Sequence, residues 1–140
     1  MNIYVNASNI HIGGGKTILT DLINAAKYFR AINFIIFIDS RFVIPNSIHE
    51  NIVFNKVRKL KRFIVCLVIE RNTTINDKVI YLTNIPPIIK HKCKSILVQS
   101  NRFVIDNYTL SGSSVKIKLR INTERLLFWI NKNNTDYIIV

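Results

Sequence analysis

Apolar positions in this chain fall into short blocks parted by polar turns, and their spacing sets the expected elements. Ile3 to Asn6 reads as a short first strand. From Gly14 to about Phe29, the residues Ile18, Leu19, Leu22, Ile23, Ala26 and Phe29 recur at i, i+3 and i+4, which predicts a helix with one apolar face. Ile32 to Asp39 is a continuous β-branched and aromatic run, as expected of a strand covered on both faces and hence of a parallel sheet. Pro45-Asn46-Ser47 breaks the pattern, and Ile52 to Phe54 is weakly strand-like. Phe63 to Glu70 is again almost wholly apolar and predicts another buried strand.

Asn72 to Asp77 forms a polar turn before a strand from Val79 to Thr83, and Pro86-Pro87 forbids regular pairing directly after it. Ser95 to Gln99 gives a further strand. Beyond Ser111-Gly112-Ser113-Ser114, Val115 to about Lys132 reads as a helix offering Leu119, Leu126, Leu127 and Ile130 to a core, and Tyr137 to Val140 is a last apolar strand. Such alternation implies an α/β domain: an open, mostly parallel Rossmann-like sheet with flanking helices, formed as a single domain over residues 1–140. Ligands of such sheets bind beyond the carboxyl ends of the strands.

Composition fits a packed domain, since 49% of the 140 residues are hydrophobic and the mean hydropathy is +0.20. Twenty Lys and Arg against eight Asp and Glu leave a net charge of +12, which suggests polyanionic partners. The cations cluster at Lys56, Arg58, Lys59, Lys61 and Arg62, at Lys90, His91, Lys92 and Lys94, and at Lys116, Lys118 and Arg120. Cys66 and Cys93 lack C-x-x-C spacing and partner histidines, so the reading is two reduced thiols in the cytoplasm and no metal or other cofactor. The apolar run from Phe63 to Ile69 is far short of the roughly 20 residues of a membrane-spanning helix, while the basic runs leave peripheral contact with the inner face of an anionic membrane open.

Three of the four glycines stand together in Ser8-Asn9-Ile10-His11-Ile12-Gly13-Gly14-Gly15-Lys16-Thr17, between the first strand and the first helix. A glycine turn opening a helix aims main-chain N–H groups at whatever lies in front, usually an anion such as a phosphate. The Walker A pattern fails because its first glycine falls on Ile10, and the dinucleotide pattern fails because its last small residue falls on Ile18. Other polar residues also follow strands: Asp39 and Arg41, Asn84, and then Gln99, Asn101 and Arg102. Of the histidines, His11 beside the glycine loop is the one placed for polar work.

Taken together, the glycine-loop segment, Ile38-Asp39-Ser40-Arg41, Asn84-Ile85-Pro86-Pro87 and Val98-Gln99-Ser100-Asn101-Arg102 resemble the N-terminal half of retaining GT-B glycosyltransferases of the group 1 type. Glu124-Arg125 and Asp136-Tyr137-Ile138-Ile139-Val140 resemble the helix and strand that approach the linker of that domain. The resemblance implies transfer of a sugar from a nucleotide sugar to a saccharide or lipid-linked acceptor in surface-polysaccharide synthesis. It implies a donor-side phosphate loop at Gly13, Gly14, Gly15 and Lys16, and an acceptor cleft lined by His11, Asp39, Arg41, Asn84, Gln99, Asn101 and Arg102. It names no catalytic residue, and the nucleotide-sugar domain that this family carries is expected from a missing C-terminal segment or a partner subunit, without which turnover is not expected. The alternative is a non-catalytic basic module for nucleic acid or another polyanion, against which Tyr108, Phe128 and Trp129 are not interleaved with the cations as stacking platforms are.

Overall fold

The apolar blocks assemble in the computed structural model into one six-stranded sheet in which every pairing is parallel. The structure describes residues 1–46, 49–105 and 112–140, the side chains of Arg102 and Phe103 excepted; Ser47, Tyr108 and Ser111 lie outside the described residues. In chain order the elements are β1 (Asn2–Ala7), α1 (Gly14–Ala26), β2 (Asn33–Asp39), β3 (Ile52–Val57), α2 (Val65–Asn72), β4 (Lys78–Tyr81), β5 (Lys94–Val98), α3 (Arg102–Ile105), α4 (Val115–Asn131) and β6 (Tyr137–Ile139). A 3-10 turn at Lys59–Ile64 leads into α2. The spatial order β3-β2-β1-β4-β5-β6 reverses between β1 and β4, which makes this an open Rossmann-like sheet with its switch point at those two strands.

Alternate residues of each strand serve two different cores. On one face, Val5 and Ala7 of β1 and Phe34, Ile36 and Ile38 of β2 pack on Leu19, Ile23 and Ala26 of α1. On the other, Tyr4, Val79, Tyr81 and Leu97 pack on Val65, Cys66 and Ile69 of α2 and Phe128 of α4. The helix α1 ends at Ala26, short of the expected Phe29, because Asn51 Nδ2 lies within hydrogen-bonding distance of the carbonyls of Ala26 at 3.0 Å, Phe29 at 3.1 Å and Ile32 at 3.1 Å. One side chain thus gives the Ala26 and Phe29 carbonyls, which already accept from the Phe29 and Ile32 main chains, a second partner and ties the turn after α1 to the start of β3.

The segment Phe63–Glu70 is not a strand. It closes the 3-10 turn and forms most of α2, with Val65, Cys66 and Ile69 buried at helical spacing while Phe63, Ile64, Leu67 and Val68 face outward. A short apolar run has no period that separates strand from buried helix, and two parallel strands, β3 and β1's other neighbour β4, require a crossover between them that this segment supplies. The core face of α4 also differs from expectation: Ile121, Phe128 and Asn131 are buried, Leu127 is half-buried, and Leu119, Leu126 and Ile130 are exposed. Ile121 and Phe128 are as apolar as the exposed leucines, so spacing alone did not choose between the two stripes. No described helix is long and apolar enough to cross a membrane.

Candidate functional site

Gly13 caps α1 with φ 72° and ψ −163°, a conformation that only glycine adopts without strain. No side chain caps this end, so the first turn of α1 offers its main-chain N–H groups at the carboxyl end of β1. A Cβ on Gly15 would lie 3.3 Å from Ile10 Cδ1, so the missing side chain lets the helix end sit against the loop; a Cβ on Gly14 would meet nothing within 4 Å. Lys16 follows, exposed to solvent in that turn. Gly15 and Asn84 line one small crevice of about 130 Å³ at the switch point, together with Asn9, Thr83 and Ser100. The glycine loop and the turn after β4, far apart in sequence, therefore meet.

Asp39 ends β2 and is fully buried. Arg41 Nε donates to Oδ1 at 3.0 Å, Arg41 Nη2 to Oδ2 at 2.9 Å and the Arg41 main-chain N–H to Oδ1 at 3.0 Å. Arg62 Nη2 donates to the same Oδ2, and His11 Nδ1 stands 3.6 Å from it and 3.2 Å from Arg41 Nη2. The hydrogen bonds from the Arg41 side chain, more than offsetting burial and helped by the Arg41 main chain and the Arg62 charge, hold the carboxyl at about 2, below its ordinary 3.8. Asp39 is thus a saturated anchor that orients two guanidinium groups, and its lone pairs are taken.

Arg62, read from the sequence as part of a basic surface run, turns inward and is four-fifths buried. Its Nε is buried without a hydrogen-bond partner among the described residues. Arg62 lines the larger cleft, about 350 Å³, which lies beyond the carboxyl ends of β1 and β4. Asn6, Ser8, Asn9 and Thr83 supply polar groups there, and Phe63, Cys66, Ile85, Pro86, Pro87, Ile88 and Leu127 an apolar wall, with Tyr81 between. Within this polar set Ser8 Oγ donates to Asn6 Oδ1 at 2.8 Å.

Behind the cleft runs a hydrogen-bonded chain that sequence reading missed. Tyr81 Oη meets His91 Nε2, and His91 Nδ1 lies 2.8 Å from Glu70 Oε2, with the imidazole fully buried. Burial, with the nearby thiols and Glu70 adding to it, pushes the Tyr81 phenol far above its ordinary value, so it acts as a hydrogen-bonding group and not as a base. His91 is therefore a second histidine in polar work beside His11; its place among lysines in the sequence concealed that it faces inward.

The remaining expected residues divide. Asn84 Nδ2 donates to Glu124 Oε2 at 3.3 Å, and Arg120 Nε stands 3.5 Å from Glu124 Oε1, which ties α4 to the turn after β4. Gln99 is buried, and its Nε2 donates to the carbonyls of Asn84 at 3.3 Å and Asn101 at 3.4 Å, clamping the loops that follow β4 and β5. It is absent from the walls of both clefts. Asn101 precedes α3 and its carbonyl also accepts from the Val104 main chain at 3.1 Å; Arg102 opens α3, its side chain outside the description. Among the described residues no group of three His, Cys, Asp or Glu could hold a metal ion. Comparison with family models, with curated proteins and with solved structures finds no match.

Proposed function

We propose that this chain forms the acceptor-side domain of a GT-B glycosyltransferase, working with a second α/β domain that carries most of the nucleotide-sugar contacts. The carrying observation is the cleft of about 350 Å³ beyond β1 and β4, with a polar lip and an apolar wall beside the glycine loop. Asn6, Ser8, Asn9 and Thr83 can exchange hydrogen bonds with sugar hydroxyls, and Phe63, Ile85, Pro86 and Ile88 can cover the apolar face of a sugar or the first units of a lipid. Departure of a nucleoside diphosphate leaves negative charge that needs donors; the uncapped first turn of α1, with Lys16, supplies them without a metal. Arg41 and Arg62, held by Asp39, keep a positive field at the same strand ends.

Titration calorimetry of the purified chain tests the reading. Saccharides and short-tailed lipid-linked saccharides are expected to bind, and Thr83→Trp, which fills the cleft, is expected to abolish binding. Failure of every acceptor to bind, or binding indifferent to Thr83→Trp, sinks it.

A further inference from the structure

We propose that the 3-10 turn Lys59–Ile64 and the outer face of α2 are a docking surface for a bilayer containing anionic lipid, an inference that does not rest on glycosyl transfer. Lys56, Arg58, Lys59 and Lys61 are all solvent-exposed, and no Asp or Glu occurs in the sequence between Asn51 and Ile69. Set among them are Leu60, 89% exposed, and Phe63, 78% exposed, followed by the exposed Ile64, Leu67 and Val68. Leu60 stands between two lysines. Seating it against another protein would draw Lys59 and Lys61 into an interface core, where lysine is depleted. At a bilayer the same arrangement is favourable: apolar side chains enter the acyl boundary while the ammonium groups reach the headgroup phosphates.

Asp39, the carboxylate that Arg62 of this basic run reaches, is buried and already held by Arg41 and Arg62, so the four outer cations keep their field for an external anion. The surface is also continuous with the cleft, because Phe63 is at once exposed and part of the cleft wall. Leu127 of α4 lines the same cleft, and on that helix Lys132 Nζ sits 3.9 Å over the exposed Trp129 ring, the pairing of aromatic body and cation suited to an interface. A molecule embedded in the bilayer could enter the cleft without leaving the membrane surface.

Sedimentation of the full chain with vesicles of phosphatidylcholine mixed with phosphatidylglycerol, and of phosphatidylcholine alone, tests this. The mixed vesicles are expected to carry the chain down and the neutral ones not. Joint Lys59→Ser and Lys61→Ser should weaken partitioning roughly 30-fold, since each basic side chain near the surface is worth about 1 kcal/mol. Leu60→Ser should weaken it roughly tenfold through lost apolar burial. All three side chains are exposed, and circular-dichroism melts should match wild type. Absence of preference for anionic vesicles overturns the proposal, as does loss of binding in Leu119→Ser with Leu126→Ser on α4 but not in Leu60→Ser. Tight binding of random-sequence RNA with no vesicle binding overturns it in favour of nucleic acid. The vesicles contain no saccharide, so their result and that of acceptor titration stand or fall separately.

Discussion

The two faces of the sheet solve the same packing problem with different chemistry. The face under α1 is filled by aliphatic and phenylalanine side chains, among them Val5, Leu19, Ile23, Ile36 and Ile38. The face under α2 and α4 places Tyr4, Tyr81, Cys66 and Cys93 among its aliphatics, and Asp39 lies at its margin with Arg62. Asn6, paired in register with Phe37 and Tyr81, brings a further polar group to the same side. Hydrophobic burial holds the first face, whereas the second also relies on partners for its buried polar groups, Arg62 Nε being an exception. The large cleft opens on the second face, where Cys66 and Tyr81 form part of its wall. The foundation of that cleft thus carries donors and acceptors that the aliphatic core under α1 lacks.

Charge removal on the second face should therefore cost most. Asp39→Asn leaves the four-fifths-buried Arg62 without its counter-ion, and a loss of about 4 kcal/mol is expected in urea unfolding at neutral pH. The wild type supplies the sign of the pH dependence. The folded carboxyl sits at about 2 against an ordinary 3.8, so its contribution is complete above about pH 4 and is lost as pH falls toward 2. That amounts to about 2 kcal/mol, and the gap between wild type and Asp39→Asn should narrow over this range. A gap independent of pH would show that the carboxylate's charge is not what Arg62 needs. On the first face, Leu19→Ala should cost about 3 kcal/mol through cavity formation, with no pH dependence between 2 and 7.

A third break separates conformation from contact at the glycine loop. Gly13→Ala forces a Cβ into a positive-φ conformation and should cost about 2 kcal/mol. Gly14→Ala, whose Cβ would meet open space in a helical residue, should leave stability unchanged or slightly raised. Equal costs for the two would mean that the loop relaxes and that φ at Gly13 is not a constraint.

Much of the first face was legible in the sequence, because α1 is amphipathic over a full helix length and Asn33–Asp39 is a continuous β-branched and aromatic run. The glycine loop was legible too, since clustered glycine between strand and helix has few other uses. The second face was harder to read. Phe63–Glu70 is apolar at nearly every position, so strand and helix fit it equally until the parallel sheet demands a crossover. Arg62 and His91 lie in basic runs whose other members face solvent, and only tertiary contact with Asp39, and with Tyr81 and Glu70, distinguishes them. Gln99 follows a strand as a ligand-binding residue would, yet its amide is spent on joining two loops.

The smallest expected effect bears most directly on the contrast between the faces. In the chain of Tyr81, His91 and Glu70, the carboxylate can only accept, so Nδ1 of His91 carries the proton toward Glu70 and Nε2 is left to accept from the Tyr81 hydroxyl. Tyr81→Phe keeps the ring and its stacking on His91, with centroids 5.6 Å apart, and removes only the donor. A buried imidazole nitrogen then stands unpaired, for which a loss of about 1 kcal/mol is expected in denaturant unfolding. Nitrogen NMR of His91 should report the Nδ1–H tautomer in wild type, with the Nε2 signal moving on loss of the hydroxyl. If stability and the Nε2 signal both stay unchanged, the hydroxyl is idle, and the second face holds together by packing as the first does.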